Sequence, residues 1–355
     1  MNIDVVGRPV RVGAHALEDW VAVVFERCGV PQADARITAS VLVRTNLRGV
    51  DTHGVTRVLP YIEKLRSGEV NAAAAPRSEV REGVLHFDGD GGLGQLVASR
   101  AVDEAVALVR SQPVAMGLIR GSGHLAALGL FVLAAAEQGM IALLCQETPP
   151  LMALAGALGP AIGNNPIAYA LPVAGRAPLV FDMATSVVAR GNVLQAARDK
   201  LQIPEGWSIG PDGAPTTDPQ VALKGAMLPV AGHKGIGLAM LVQVLAGSLS
   251  GSESAESAAS FGAASSAGNV SAFLLVINPD RVIGRAAFDA HVAQWLSTYT
   301  GASGTDARYP GERAAACEVE RARDGIPLPM GVVAELRKVG DLVSVPFDLV
   351  PGASL

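Results

Sequence analysis

A chain of 355 residues, half of them apolar, can bury a substantial core and fill roughly two or three domains, which excludes disorder as its main state. A formal net charge of -5, no extended lysine and arginine patch and only 4% aromatic residues remove the footprint of general nucleic-acid binding, so a small polar metabolite is the expected partner. Three scattered cysteines, an N-terminus without a basic region and apolar stretch, and no apolar run of about 20 residues point to a reducing, cytoplasmic setting with no disulfide framework, metal site or membrane span.

Apolar positions at helical spacing from Val12 to Arg48, broken by the Gly29-Val-Pro31 turn, predict two helices that lead into Leu47-Arg-Gly-Val-Asp-Thr-His-Gly-Val-Thr-Arg57. Helix resumes from Val58 to Leu65 and stops at Gly68, before a small-residue linker around Asn71 to Pro76. Val84 to Asp88 reads as a short strand carrying His86, Gly89 to Gly94 as a loop, and Ala98 to Val109 as an amphipathic helix. From Pro113 onward, Val114-Ile119, Gly139-Leu144, Pro178-Phe181 and Phe273-Ile277 read as buried strands, with helices at Ala126-Gln138, Ala189-Lys200 and Gly235-Gly247. This is α/β patterning. The stretch Gly247 to Gly268 is small and polar, hence a long loop, and His291-Tyr299 and Gly311-Arg323 are the last helical candidates.

The chain has six histidines, and two stand in glycine-rich turns. His53 titrates near neutral pH when unperturbed, and Arg57 lies four residues on, within reach of the same small acid if a helix begins near Gly54. His124 follows an apolar strand and opens a helical segment, the junction at which sheet proteins commonly keep their chemistry. Gly121-Ser-Gly-His-Leu-Ala126 also matches G-x-G-x-x-G/A, with Glu147 near the expected ribose acid. That dinucleotide reading competes with a merely close turn and with a catalytic His124. It would put an imidazole in a phosphate turn, after over a hundred residues that such a domain does not need. Asp182, after an apolar strand, has three readings: helix cap, ribose ligand or imidazole partner. Trp207 reads as a packing residue in a turn.

Eight ordered blocks resemble the malate/L-lactate dehydrogenase family of the non-Rossmann type, whose members include ureidoglycolate, sulfolactate and 2,3-diketogulonate oxidoreductases and cyclic imino-acid reductases. They are Leu47 to Arg57, Gly121-Ser-Gly-His124, Leu158-Gly-Pro-Ala-Ile-Gly-Asn-Asn-Pro166, Phe181-Asp-Met-Ala-Thr-Ser186, Ile203-Pro-Glu-Gly-Trp207, Pro215-Thr-Thr-Asp-Pro219, Gly232-His-Lys-Gly235 and Tyr309-Pro-Gly-Glu-Arg313. The resemblance implies an α/β fold with a mixed-sheet cofactor domain (121–289), a helix-rich unit built from both chain ends (1–120 plus 290–355), an NAD(P)H cofactor and a homodimer. It implies cofactor contacts from Thr148, Asp182, Met183, Ala184, Thr185, His233, Lys234, Gly311, Glu312 and Arg313. Lys234 answers a phosphate charge, and Gly232 and Gly235 permit close backbone approach. Five positions in three places depart from the family pattern: Gly123-His-Leu-Ala126 replaces Asn-His-Phe-Gly, Gly163-Asn-Asn-Pro166 replaces Gly-Thr-Asn-Pro, and Gln243 replaces an acidic residue.

The expected activity is NAD(P)H-dependent reduction of a small cyclic 2-imino acid. The alternatives are NAD(P)-dependent oxidation of a 2-hydroxy acid and, as a different class, non-catalytic dinucleotide binding. Arg57 supplies a fork for the substrate carboxylate, Arg48 and Arg120 are the candidates for the further cation that a malate-like substrate would want, and His53 and His124 share proton transfer. Spacing leaves open which imidazole is primary, and leaves NADH and NADPH undistinguished. Leu125, Ala126 and Leu151-Met-Ala-Leu154 suggest an apolar wall suited to a compact ring; Trp20, Val23, Val24 and Val43 offer a face for core or subunit burial.

Overall fold

Both ends of the chain meet in one helical layer in this computed structural model, which describes residues 9–251, 270–302, 304 and 307–349. A short strand β1 (Val10–Val12) precedes helices α1 (Ala14–Arg27) and α2 (Gln32–Leu47). Two single turns of 3-10 helix, Asp51–His53 and Val55–Arg57, then lead into α3 (Val58–Ser67). Leu17, Phe25, Leu42, Val43, Val58 and Ile62 from these helices interlock with Leu328, Val333 and Leu336 from the far end of the chain. Each such side chain contributes about 1.5–3 kcal/mol by leaving water. Trp20, Val24 and Val43 are consumed in this intramolecular core, so they are not a face left for a second subunit.

The central sheet starts with β2 (Arg77–Arg81) and β3 (Val84–Gly92), a hairpin; α4 (Gly94–Val109) crosses over and β4 (Val114–Ser122) returns parallel to β3. Alanines 98, 101 and 105 on the buried face of α4 let it lie close against the strands. After α5 (Gly129–Glu137) come β5 (Ile141–Gln146), β6 (Ile167–Leu171) and β7 (Leu179–Met183), and then α6 (Arg190–Arg198). A minor sheet follows from β8 (Ser208–Ile209), β9 (Pro215–Thr216) and β10 (Ala226–Met227), with α7 (Pro219–Ala222) between the last two. Helix α8 (His233–Val242) runs on through a wide turn of helix at Gln243–Ser248.

Strand β11 (Val270–Ile277) inserts between β4 and β5, antiparallel to both, to give the order β2-β3-β4-β11-β5-β6-β7. Its sequence Val-Ser-Ala-Phe-Leu-Leu-Val-Ile is apolar apart from Ser271 because helices cover both faces: α4 and α5 on one, Val242 and Ala246 on the other. The chain closes with α9 (Pro279–Val282), α10 (Arg285–Ala302), α11 (Glu312–Asp324), β12 (Ile326–Leu328) and α12 (Met330–Val343). Strand β12 pairs antiparallel with β1 and ties the two ends together.

The sheet does not respect a boundary at residue 120, because β2, β3 and β4 belong to it and β4 pairs with β11 from beyond residue 269. Helix also extends beyond the expected start of the long loop at Gly247; the part of that loop from residue 252 lies outside the described residues.

The dinucleotide reading of Gly121 to Ala126 fails on topology. Strands β4 and β5 are not neighbours, and the glycines serve backbone packing: Gly123 N–H donates to Gly92 C=O at 2.9 Å, and a Cβ on Gly94 would meet His124 O at 2.4 Å. In the same turn Ala126 adopts φ +68°, a left-handed conformation that costs a residue with a Cβ about 1–2 kcal/mol. Glycine escapes that cost. Ala126→Gly should therefore raise the urea midpoint, with a net gain of about 1 kcal/mol after its added chain entropy; an unchanged or lowered midpoint would show that the turn carries no strain.

Candidate active site

Asn46, buried on the last turn of α2, organises the loop that carries His53. Its Nδ2 donates to Asp51 Oδ1 at 2.7 Å, and its Oδ1 accepts from Val55 N–H at 2.7 Å. Gly54 completes the fit, since a Cβ there would stand 2.0 Å from Asn46 Oδ1. From α11, Arg321 donates to both oxygens of Asp51, at 2.7 and 3.1 Å, and to the carbonyl of Asn46. Within the loop so held, Thr52 Oγ1 lies 2.9 Å from His53 Nδ1, and Arg57 Nε donates to Thr52 C=O at 2.7 Å.

His124 approaches from the other side, on the turn after β4. Its ring centroid is 6.1 Å from that of His53. Its Nδ1 is 2.9 Å from the hydroxyl of Tyr61 on α3, which Gln95 Nε2 on the first turn of α4 contacts at 3.1 Å. The two imidazoles and Arg57 are thus brought together from two separate segments, the 50–57 loop and the turn after β4. Tyr61, Gln95, Asn46 and Arg321 were not singled out by the sequence reading. Tyr61 stands four residues after Arg57, on the same helical face by spacing, and that was the one signal available.

Asp182, on β7, accepts from Gly129 N–H at 2.7 Å and so caps the start of α5, which follows the His124 turn. Next to it, Thr185 donates from its backbone and hydroxyl to Asn164 C=O, both at 2.9 Å, and Asn164 Oδ1 accepts from Thr148 Oγ1 at 2.9 Å. Gly163 is required here, since a Cβ would come within 2.4 Å of Thr148 Oγ1. Val230 N–H donates to Thr185 C=O at 2.9 Å, which joins the wall to the N-terminus of α8. His233 and Lys234 are exposed at that end, and Gly232 there has φ +61° and open space where a Cβ would be. A helix N-terminus with a cation and an unobstructed backbone suits the phosphates of a dinucleotide, so these residues fit the expected cofactor.

Other expected site residues lie elsewhere. Arg48 is 7% exposed and donates to Glu318 at 2.6 Å, so it ties α2 to α11 and is not presented to substrate. Gly311 and Glu312 dock the C-terminal segment on β7: a Cβ at Gly311 would meet Val180 N at 2.8 Å, and Glu312 pairs with Arg176. Arg313 is exposed on the first turn of α11. Leu125, Met152 and Ala153 are core side chains and do not form a substrate wall. Glu147 is buried and accepts from Gln243 Nε2 at 2.9 Å.

His53 and His124 are half-buried beside one another, and Asp182, against the start of α5, keeps exposed side-chain surface. Burial, reinforced by Arg57, pulls His53 down to about 4; burial, then His53, Arg57 and Lys64, pulls His124 down to about 3. Both are neutral at neutral pH. Burial pushes Asp182 up to about 6 against the backbone N–H groups of Gly129 and Leu128. The unfolded chain protonates both imidazoles near 6.5 while the native cleft resists, so the histidines make stability fall as pH drops from 6.5 towards about 4. Asp182 acts oppositely, because the native carboxyl retains a proton above the ordinary 3.8 and loses that advantage as pH rises to about 6. Two imidazoles outweigh one carboxyl. The urea midpoint should decline on acidification through this window, and His53→Gln/His124→Gln should remove the decline; an identical slope in the double variant would refute the burial of two neutral imidazoles.

Residues 12–337 match the malate/L-lactate dehydrogenase family. The chain is 35% identical over 330 residues to the (2R)-3-sulfolactate dehydrogenase (NADP(+)) of Chromohalobacter salexigens, covering 92% of this chain and 97% of that one. It is 41% identical over 244 residues to the Δ1-pyrroline-2-carboxylate/Δ1-piperideine-2-carboxylate reductase of Pseudomonas putida, covering 68% and 72%. Among solved structures, malate dehydrogenase from Pyrococcus horikoshii aligns with a TM-score of 0.84 at 31% identity, over 95% of this chain and 96% of that chain. With its sheet order and the His53, Arg57 and His124 cleft already described, the chain belongs to the malate/L-lactate dehydrogenase family of NAD(P)-dependent oxidoreductases.

Proposed function

We propose that the protein reduces a small cyclic 2-imino acid, of the Δ1-pyrroline-2-carboxylate or Δ1-piperideine-2-carboxylate type, with NAD(P)H. The observation that carries this reading is the guanidinium of Arg57, the one arginine that acts on both imidazoles among the described residues. It has no carboxylate partner among the described residues. Lys64, the other cation acting on His124, is paired with Glu69 at 3.0 Å, and Arg48 is paired with Glu318. One fork suits one carboxylate; malate or sulfolactate brings a second anion that would need its own cation.

The bound nicotinamide supplies a hydride equivalent. Arg57 orients the carboxylate so that the substrate carbon presents one face, and the imidazoles of His53 and His124 attend the ring nitrogen, where a proton completes the amine. Lys234, His233 and the first backbone N–H groups of α8 would hold cofactor phosphate, with Thr148 and Thr185 on the adjoining wall. A 2-hydroxy acid dehydrogenase is the second reading, favoured by the neutral imidazoles, since oxidation needs a base in that form.

Initial rates with Δ1-pyrroline-2-carboxylate, Δ1-piperideine-2-carboxylate, pyruvate and oxaloacetate, each with NADH and NADPH, decide between these. We expect the imines to give the highest kcat/KM. Preference for oxaloacetate would overturn the one-carboxylate reading, and cofactor binding without turnover of any substrate would indicate a non-catalytic binding protein. Arg57→Lys should raise KM for the preferred acid about 10- to 100-fold through loss of the planar fork; an unchanged KM would remove Arg57 from the carboxylate site.

The same reading includes a homodimer as the active assembly. Leu238, Met240, Leu241, Val244 and Leu249 leave apolar surface exposed along α8 and its extension, in keeping with burial between subunits. Sedimentation paired with activity across dilution tests this, and a fully active monomer would defeat it.

A further inference from the structure

The two imidazoles are held by different partners, and what each partner allows bears on its role, given the reading of this cleft as a site of hydride and proton transfer. Gln95 is fully buried, and its Nε2 lies 3.1 Å from His124 C=O, 3.2 Å from Leu125 C=O and 3.1 Å from the Tyr61 hydroxyl. Two of these partners are carbonyl oxygens, which only accept. The amide must therefore face them with its nitrogen, because the flipped orientation would set Oε1 against two oxygens. The two N–H bonds are matched by the two carbonyls, and towards Tyr61 Gln95 presents an amide nitrogen, which cannot accept the hydroxyl proton.

Tyr61 is 4% exposed, so its hydroxyl proton has a short choice of acceptors: His124 Nδ1 at 2.9 Å or His124 C=O at 3.4 Å. That carbonyl already receives Gln95. The proton goes to the nearer nitrogen. We propose that Tyr61, oriented by Gln95, holds neutral His124 with its proton on Nε2, so that His124 binds substrate as a hydrogen-bond donor while the transferred proton passes through His53.

His53 is built differently. Its Nδ1 partner, the Thr52 hydroxyl, is exposed and can donate to the ring or accept from it while water serves its other needs. Either protonation state is accommodated. At His124 an added proton on Nδ1 would turn Tyr61 into an acceptor and drive its own proton to the longer, already occupied contact. The groups that bear electrostatically on His124 are His53, Arg57 and Lys64, all unfavourable to a second proton, whereas a substrate carboxylate on Arg57 would cancel part of the field that holds His53 neutral. In reduction, His53 first takes up H⁺ from solvent as the substrate carboxylate offsets Arg57; the hydride pair then forms the new C–H bond, the π pair of C=N takes the proton from the His53 imidazolium to form the new N–H bond, and His53 returns to neutral. The sum is imine, NAD(P)H and H⁺ giving amine and NAD(P)⁺. Throughout, Nε2–H of His124 stays on His124 as a preorganised donor.

Long-range ¹H–¹⁵N spectra of the full-length protein labelled at histidine, recorded without substrate, test the tautomer directly, with the His124 signals assigned by their loss in His124→Gln. We expect a protonated Nε2 and an unprotonated Nδ1 at neutral pH. Tyr61→Phe, checked for native circular dichroism, should shift population towards Nδ1–H and lower kcat about 10- to 100-fold with KM changed far less. A wild-type spectrum with the proton on Nδ1 overturns the proposal, as does a folded Tyr61→Phe variant with an unaltered tautomer. If that variant does not fold, the wild-type spectrum alone decides. Failure of the substrate panel with the expected spectrum would count against the proposed function and leave the tautomer assignment standing.

Discussion

The whole cleft depends on one buried amide, Asn46, at the seam between the helical layer and the loop that faces the sheet. The segment from Val50 to Arg57 has two single turns of 3-10 helix whose own bonds are short-range, such as His53 N–H to Val50 C=O and Arg57 N–H to Gly54 C=O, and do not by themselves set the shape it keeps against α2. Asn46 supplies that shape by accepting from Val55 and donating to Asp51, and Arg321 fixes Asp51 from a residue 270 positions later. Hydrogen bonds to charged groups are worth about 1.5–3 kcal/mol each, and losing one partner would leave the others buried and unsatisfied. Without the clamp, His53 and Arg57 would have no fixed relation to His124. The pairing of β1 with β12 brings α11 and its arginine to the place where this is possible.

A second polar cluster stands behind the expected cofactor wall. Asn165 receives Thr148 N–H on its oxygen and donates from its nitrogen to Ala239 C=O and to Gln243 Oε1, while Gln243 Nε2 donates to Glu147. This gives a physical reason for glutamine at 243. An amide can donate to Glu147 and accept from Asn165 at once, whereas an acidic side chain there would set two carboxylates against each other in a buried space. Gly247 is equally constrained, since a Cβ would stand 2.4 Å from Glu147 Oε2. The wide helical turn at Gln243–Ser248 thus lies where this network meets the helix.

The electrostatics of the cleft follow from its construction. Arg57 lowers the proton affinity of both imidazoles, and each is further desolvated by the packing that positions it. Burial likewise pushes the Tyr61 hydroxyl up to about 12, so it serves as a fixed donor and not as an ionising group. An anionic substrate on Arg57 would change this balance most at the residue beside it, coupling binding of the acid to readiness of the proton donor.

Much of the fold was legible along the chain because burial imposes periodicity. The apolar strands around 114–119, 139–144 and 273–277 and the helices before His53 announced themselves, and the glycine-rich turns marked where His53 and His124 would stand. Polar partners leave no comparable trace: nothing about Asn46, Gln95 or Arg321 in one dimension says which backbone groups they satisfy, since those groups come from distant segments. Strand β11 reads as a buried strand, yet its insertion between β4 and β5 is a pairing choice made by the sheet as a whole. The same holds for the apparent substrate wall. Leu125 and Met152 are apolar beside the motifs, but the turn and the minor sheet direct them into the core. By itself the sequence determined the α/β patterning, the cluster of titratable residues and the family blocks, all of which are written in local composition and spacing. Tertiary structure alone decided that Arg48 would be neutralised by Glu318 while Arg57 remained available, and that Tyr61 would meet His124, because both outcomes depend on which segments fold against one another.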